Sequence, residues 1–565
     1  MPSLGDASDL DIRAERRLGD RIARELYRDP DYIDDPVVGD YLQRLWRPLL
    51  AAARIRGEIA PELDERFVWE VMLGKDRSIN AFALPGGYLG VHLGLIAASA
   101  NRDELASVLA HELSHVTQRH IARMITQSNR QAPLLLGAMI LGAMAASKNP
   151  QAAGAIITGA QAAAIQGQLN YSRDMEREAD RVGMGILVQA GFEPQGFVTL
   201  FEKLQQASRL NDSGAFPYLR THPLTTERIA DMQARLPMVS AASGTPHAAV
   251  QAAGYTRGGA GMLEHHLVAA RSRVLSQAQV DALRARVTEG RGVMAAQAAP
   301  TPAPPLAADA DSTSAAASTA VSEGALYAAA LASLKLRDFA AAEQFAVQLQ
   351  AQLAARAARA APGDAASYDI ARQLVLLLRV EMTLEQLLSP AATGVATSPP
   401  GAPAGAPAAT PPSGLASSLA DLLKQWPLPG DAMQASRAHW LLWARSLWAT
   451  GQADLAASRL QTWVALHPRD ALAWQWLAQV QHSRGQTLRA IRAEAEAQAA
   501  RLDYAAALDR LRAAQDLLKQ PSRLAAQGAQ GGTGRQAAVD HIEASIIDTR
   551  AREVAALLRE QTLQR

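Results

Sequence analysis

The run His111-Glu112-Leu113-Ser114-His115 sets two imidazoles four residues apart with a carboxylate between them. On a helix, positions i and i+4 share a face, so both rings can turn toward one ion, and Glu112, about a third of a turn round, can reach a water bound there. These residue types at this spacing suit metal-assisted hydrolysis, with zinc, one per chain, as the expected ion and Glu112 as general base. Two histidines leave such a site incomplete, because a catalytic zinc takes three protein ligands and keeps one position open. Downstream, Ser172 can cap a helix that carries Glu176 and Asp180 on one face, again four apart. Glu176 is expected as the third ligand. Asp180 is expected to hold a ligand histidine in the metal-binding tautomer, with Glu178 pointing elsewhere.

These side chains need helices, and the sequence supplies the signals. Asn101 is a good N-cap with Glu104 at N3, Asp103 and Glu104 favour the positive helix end, and Leu105, Val108, Leu109 and Val116 form an apolar stripe. Residues 7–60 read as helical through Leu10, Ile12, Leu18, Ile22, Leu26 and Tyr27. Phe67 to Met72 is a β-type run, and Ala81–Leu84, Pro85-Gly86-Gly87 and Tyr88–Val91 together predict a hairpin. From residue 101 to about 235 the pattern is helical, with an insert in which Lys148 is the only charge between Arg130 and Arg173. Pro/Ala/Ser-rich composition marks 297–320 as a linker and 391–414 as a disordered loop. Farther on, Trp440, Ala444 and Gly451 recur 34 positions later as Trp474, Ala478 and Gly485, the period of tetratricopeptide helix pairs. The segments 327–349 and 502–508 share that small-residue pattern, and the competing reading is an ordinary Ala-rich bundle. The expected division is 1–60 N-terminal helices, 61–240 metalloprotease domain, 241–296 helical connection, 297–320 linker and 321–565 repeat domain.

Composition narrows the function classes. A chain of 565 residues with 56 Lys+Arg against 55 Asp+Glu has a net charge of +1, too little for a basic nucleic-acid face. No cysteine is present, which excludes disulfides, thiol nucleophiles and Cys-based zinc fingers. Any metal site must use His, Asp or Glu. The segment Met1–Asp6 lacks the basic and apolar regions of an export signal, so the chain is either cytosolic or a mature form given a start Met. The longest apolar candidate, Ala132 to Ala146, is too short to span a bilayer.

The strings Asn80-Ala81-Phe82-Ala83-Leu84-Pro85-Gly86-Gly87-Tyr88, His111 to His120, and Glu176-Arg177-Glu178-Ala179-Asp180 resemble the zinc metalloprotease family that includes the CAAX prenyl proteases and the heat-shock protease HtpX. The order of segments is similar to soluble, repeat-bearing periplasmic members. That resemblance implies a mainly α fold: a gluzincin-like domain with a small β-sheet, followed by a tetratricopeptide-type α-solenoid. It implies a periplasmic zinc endopeptidase, its signal peptide removed, that degrades unfolded or misassembled outer-membrane proteins and assists their assembly, with the repeats contacting substrates or the assembly machinery. The Glu of its E-x-x-x-D element, the third ligand, falls on Glu176. Such proteases hold substrate as an added strand, here along Asn80, Ala81, Phe82 and Ala83; a core strand is the alternative. His222, in a His-Pro-Leu segment, has two candidate roles, donor to the oxyanion or fourth ligand that makes the enzyme latent. The insert 131–170 reads as a lid, a peripheral membrane contact or a buried helical pair. His120, by helical extrapolation half a turn off the ligand face, is expected to be structural or rim-lining. His92, His265 and His266 receive no role. Two competing readings are a repeat-based periplasmic chaperone or adaptor with a latent metal site, and a cytosolic adaptor.

Overall fold

Two aspartates start the first two helices. Asp11 accepts from Arg13 N–H ahead of α1 (Ile12–Arg28), and Asp35 accepts from Val38 N–H ahead of α2 (Pro36–Ile55). The computed structural model describes residues 10–127, 173–210, 217–242, 260–298, 312–360, 365–389, 413–428, 432, 435–519 and 534–563. The insert 131–170 and most of the two Pro/Ala-rich stretches lie outside the described residues. The chain divides into two compact units, Met1–Val375 and Leu376–Arg565.

In the first unit, α3 (Pro61–Arg66) leads into β1 (Glu70–Gly74), and the expected hairpin forms from β2 (Ala81–Leu84) and β3 (Tyr88–His92). The sheet order is β1-β3-β2, with β1 parallel and β2 antiparallel to β3. Its turn needs glycine: Gly86 and Gly87 sit at φ 76° and 86°, where a β-carbon is strained. Strand β2 is therefore an edge strand, lying against α5 (Arg102–Thr117), which follows the short α4 (Leu93–Ala98). Helix α5 is capped as its sequence predicts. Asn101 Oδ1 accepts from Glu104 N–H at 2.9 Å, and Glu104 reaches back to Ala100 N–H at 2.7 Å. Apart from Asp103, every residue of α5 is buried, so the side opposite its apolar stripe faces the protein as well.

After α6 (His120–Gln127), the described chain resumes with α7 (Arg173–Gln189), α8 (Gln195–Leu210), α9 (Pro217–Thr221) and α10 (Thr226–Ala242). Helix α7 crosses α5 closely because residue 183 is glycine: a β-carbon there would stand 3.1 Å from Ala110 O and 3.2 Å from His111 Cα. Helix α11 (Ala260–Ser276) is fastened to α2 by buried polar pairs. Arg271 donates to both oxygens of Asp35 at 2.7–3.0 Å, and His265 is held between Tyr41 Oη at 2.6 Å and Ser99 O at 2.8 Å. Helices α12 (Val280–Ala298), α13 (Ser312–Lys335) and α14 (Phe339–Ala357) follow in this unit, which ends within the helix Ala365–Leu387. Helix α13 thus begins inside the 297–320 stretch and packs with the first unit, ahead of the expected repeat boundary. Once the prolines end at Pro305, the Ala/Ser composition is helix-forming.

Within the second unit, helices at Arg437–Ala449, Ala453–Leu466, Ala471–Ser483, Thr487–Ala500 and Tyr504–Leu518 form successive helix pairs. Trp440, Trp463 and Trp474 lie in one core, and Arg437 links one repeat to the next through two 2.8 Å bonds to Asp470, which also caps the third helix. The turns carry a left-handed residue at Gly451, Gly485 and Leu502. Among the described residues no helix is long and apolar enough to cross a membrane.

Replacing Asp35 by Ala strands the buried Arg271 guanidinium and removes the α2 cap, so urea unfolding should show a loss of about 3–5 kcal/mol. Asp35 is depressed in the fold because Arg271 and the Val38 N–H outweigh the effect of burial, so its contribution holds above the ordinary carboxylate pKa and fades as pH falls through the folded value.

Candidate metal centre

Three elements bring the candidate ligands together. The last turns of α5 carry His111, Glu112 and His115, the first turns of α7 carry Glu176 and Asp180, and the loop after α9 carries His222. One donor atom from each of His111, His115, Glu176 and His222 lies within 4.8 Å of all the others, and all four side chains are buried. His111 Nε2 is 3.0 Å from His115 Nε2 and 3.4 Å from Glu176 Oε2, while His115 Nε2 is 3.5 Å from Glu176 Oε1. Two atoms bonded to a tetrahedral zinc stand roughly 3.3 Å apart, so these separations suit a shared ion. Both carboxylate oxygens of Glu112 are buried and neither accepts a hydrogen bond. An ionised group in that state is costly unless a cation or bound water completes it, and the donor set is that of a zinc hydrolase site.

Asp180 stands behind His111, its Oδ1 3.0 Å from Nδ1. A proton on Nδ1 leaves the Nε2 lone pair turned toward Glu176 and His115. Burial disfavours a charged His111, but Asp180 and Glu176 more than offset it and hold the metal-free ring up at about 9. His115 is pushed well below its ordinary value by burial. For Glu176 burial acts upward, and His222 and His111 together prevail, holding it well below the usual carboxylate range.

His222 lies in the cluster. Its Nδ1 is 3.1 Å from Glu176 Oε1 and its Nε2 3.4 Å from Glu112 Oε1. It is held by His222 N–H donating to Tyr218 O at 2.8 Å and by the Tyr218 ring, stacked at 4.7 Å and 27°. The Tyr218 hydroxyl is buried with no hydrogen-bond partner, and burial together with the negative charges of Glu112 and Glu176 pushes it well above its usual pKa. The strand residues Ala81–Ala83 fall in β2, along the edge without a strand partner among the described residues, and Asn80 precedes it with Oδ1 buried and unbonded.

Two residues escaped the sequence reading, and a third, His120, is expected from sequence to be structural or rim-lining. Arg228, in the first turn of α10, donates to Asp180 at 2.7 and 2.8 Å and to Pro223 O at 2.9 Å, and pairs with Glu176 Oε2 at 2.8 Å. Its only sequence signal is a lone arginine six residues beyond His222. Tyr218 gave none. His120 is fully buried against His115, not rim-lining, because Arg119 takes φ 53° and ends α5, so the extrapolated helical phase no longer applies. Glu178, read as pointing elsewhere, meets His120. His92 bonds Ser78, and His266 bonds Met262 O.

Comparison with known proteins adds an independent line. Residues 41–236, which include His111, Glu112, His115, Glu176, Asp180, His222 and Arg228, match Peptidase family M48. The chain is 36% identical over 237 residues to the beta-barrel assembly-enhancing protease of Escherichia coli K12, covering 42% of this chain and 47% of that protein. The corresponding protein of Yersinia pestis is 35% identical over the same length, again 42% and 47%. The mitochondrial metalloendopeptidase OMA1 of Saccharomyces cerevisiae is 30% identical over 208 residues, covering 35% and 55%. The chain spans about half the length of the curated relatives it matches.

Arg228→Ala should leave Asp180 and Glu176 buried without their counter-charge. A loss of about 3–5 kcal/mol in chemical denaturation is expected, with metal affinity about 10–100-fold weaker. Arg228→Lys should recover only part of both, since an ammonium cannot reproduce the bidentate contact.

Proposed function

We propose that the chain is a zinc endopeptidase that acts on unfolded polypeptide, with His111, His115 and Glu176 as ligands. The observation that carries the reading is the convergence of these three buried side chains beside a carboxylate, Glu112, whose buried oxygens accept no hydrogen bond and which meets His222 at 3.4 Å. Zinc held there would supply Lewis acidity, polarising a peptide carbonyl and acidifying a water. Glu112 takes the water proton and passes it to the leaving amine. Asp180, clamped by Arg228, keeps His111 in the binding tautomer. The edge of β2 offers backbone groups to an extended substrate, with alternate side chains entering the cleft.

The position of His222 supports a resting state in which it serves as the fourth ligand and closes the open position. Moved aside, the same ring is placed to donate to the oxyanion. The names of the two bacterial relatives support a role in β-barrel assembly, and the family resemblance supports misassembled outer-membrane proteins as substrates and a periplasmic location. The helix pairs of the second unit, read as tetratricopeptide repeats, are suited to hold those substrates or the assembly machinery. The closed geometry at His222 equally favours a second reading, a repeat-based chaperone whose metal site stays latent.

Metal analysis should find one zinc per chain. Glu112→Gln should retain that zinc and lose hydrolysis of an unfolded protein by roughly 10²–10⁴-fold, whereas His222→Ala should retain zinc, cleaving faster than wild type where the blocking role dominates and slower where the oxyanion role does. Unaltered cleavage by Glu112→Gln would refute the mechanism. Full zinc occupancy, suppression of aggregation and no cleavage by any variant would favour the chaperone.

A further inference from the structure

A metal-binding imidazole ordinarily donates its outer N–H to a carboxylate, a backbone carbonyl or a water. His111 does this with Asp180. On His115 the corresponding nitrogen faces another imidazole: His115 Nδ1 is 2.8 Å from His120 Nδ1. From there the chain of contacts continues outward. His120 Nε2 is 3.1 Å from Glu178 Oε2, and the same oxygen accepts from Arg123 Nη1 at 2.8 Å. His115 and His120 are fully buried, whereas Glu178 and Arg123 are 29% and 45% exposed, so the line joins the interior of the site to the surface.

Only one placement of protons serves both the metal and this chain. If His115 turns its Nε2 lone pair to an ion, the neutral ring carries its proton on Nδ1. The Nδ1–Nδ1 contact then needs a bare nitrogen on His120, whose proton must sit on Nε2. That N–H points at Glu178 Oε2, which is an acceptor. The reverse placement fails twice, setting the His120 Nε2 lone pair against a carboxylate and taking the lone pair from the ligand nitrogen of His115. The left-handed turn at Arg119 makes the arrangement available, since it ends α5 and folds His120 back onto the ring it would otherwise miss.

We propose that His120 is a positioning residue for the metal, accepting the Nδ1–H of His115 and so fixing its metal-binding tautomer, while Glu178, anchored by Arg123, fixes that of His120. This rests on the metal reading above. The two histidine ligands are then held differently, His111 directly by an arginine-clamped carboxylate and His115 through a neutral ring that ends on a carboxylate near the surface.

The test measures zinc affinity of the full chain by competition with a chromogenic chelator, alongside the melting temperature of each metal-free variant. His120→Phe keeps the buried ring and removes the acceptor. His120→Asn removes the ring and leaves an oxygen close to where Nδ1 stood. Affinity should fall about 10–100-fold in His120→Phe and stay within about threefold of wild type in His120→Asn, with Glu178→Ala between them. Melting temperatures should rank the other way, because the ring volume is lost only in Asn. A purely structural His120 would give both measurements the same order, and that result overturns the proposal, as does wild-type affinity in His120→Phe. Should His120→Phe not fold, a tenfold loss in His120→Asn overturns it. Failure of the wild type to bind zinc refutes the metal reading and this one together, whereas normal wild-type binding with an unaffected His120→Phe refutes the positioning role alone.

Discussion

The contact between Arg228 and Asp180 is the interaction on which the rest of the site depends. Helix α5 is buried almost throughout, so the ionisable groups on it and on α7 are taken out of water and need partners inside the protein. Arg228 meets that need at several points, bonding both oxygens of Asp180, pairing with Glu176 and binding the carbonyl that follows His222. Asp180 is held below its ordinary pKa against burial by Arg228 first and by His111 after it. A guanidinium suits this place because its planar fork satisfies both carboxylate oxygens while a remaining N–H reaches another element. Remove it, and two buried carboxylates face each other's field with only the histidines to compensate.

Close approach of the two ligand-bearing helices is the second requirement. Glu176 can meet histidines on α5 only if α7 crosses near Ala110, and Gly183 permits it. The site therefore combines a steric condition at residue 183 with an electrostatic one at residue 228, neither of which lies among the ligands. Both act by restricting where the carboxylates can be, which gives the donor atoms their separations of 3.0–3.5 Å.

Much of this was legible in the sequence, for physical reasons that differ from part to part. His111, Glu112 and His115 follow from helical periodicity alone, and Glu176 with Asp180 from a second run of the same period. Periodicity stops carrying information where the helix stops. The left-handed Arg119 could not be read from residue type, because arginine has no preference for that conformation, and so the sequence leaves His120 between a structural and a rim position. Arg228 and Tyr218 act through contacts between segments far apart in the chain, and local pattern holds no trace of them. The repeat helices were visible through tryptophan, alanine and glycine at a fixed spacing. The boundary ahead of them was not, because Ala/Ser composition reads alike as linker and as helix, and only packing decides that Ser312–Lys335 is helical and belongs with the first unit.

The segment that carries His222 is fixed at three points, and they join parts of the site that serve different ends. Tyr218 N–H reaches Ile79 O at 3.4 Å, His222 N–H returns to Tyr218 O, and Arg228 holds Pro223 O. Asn80 O accepts from His92 N–H and so faces β3. Ile79 O lies one residue farther ahead of the strand, outside Ala81–Leu84. That carbonyl is already taken by Tyr218. Tyr218 is also the residue on which His222 is stacked. One short helix, Pro217–Thr221, therefore joins the segment just ahead of β2 to the imidazole that stands beside Glu176.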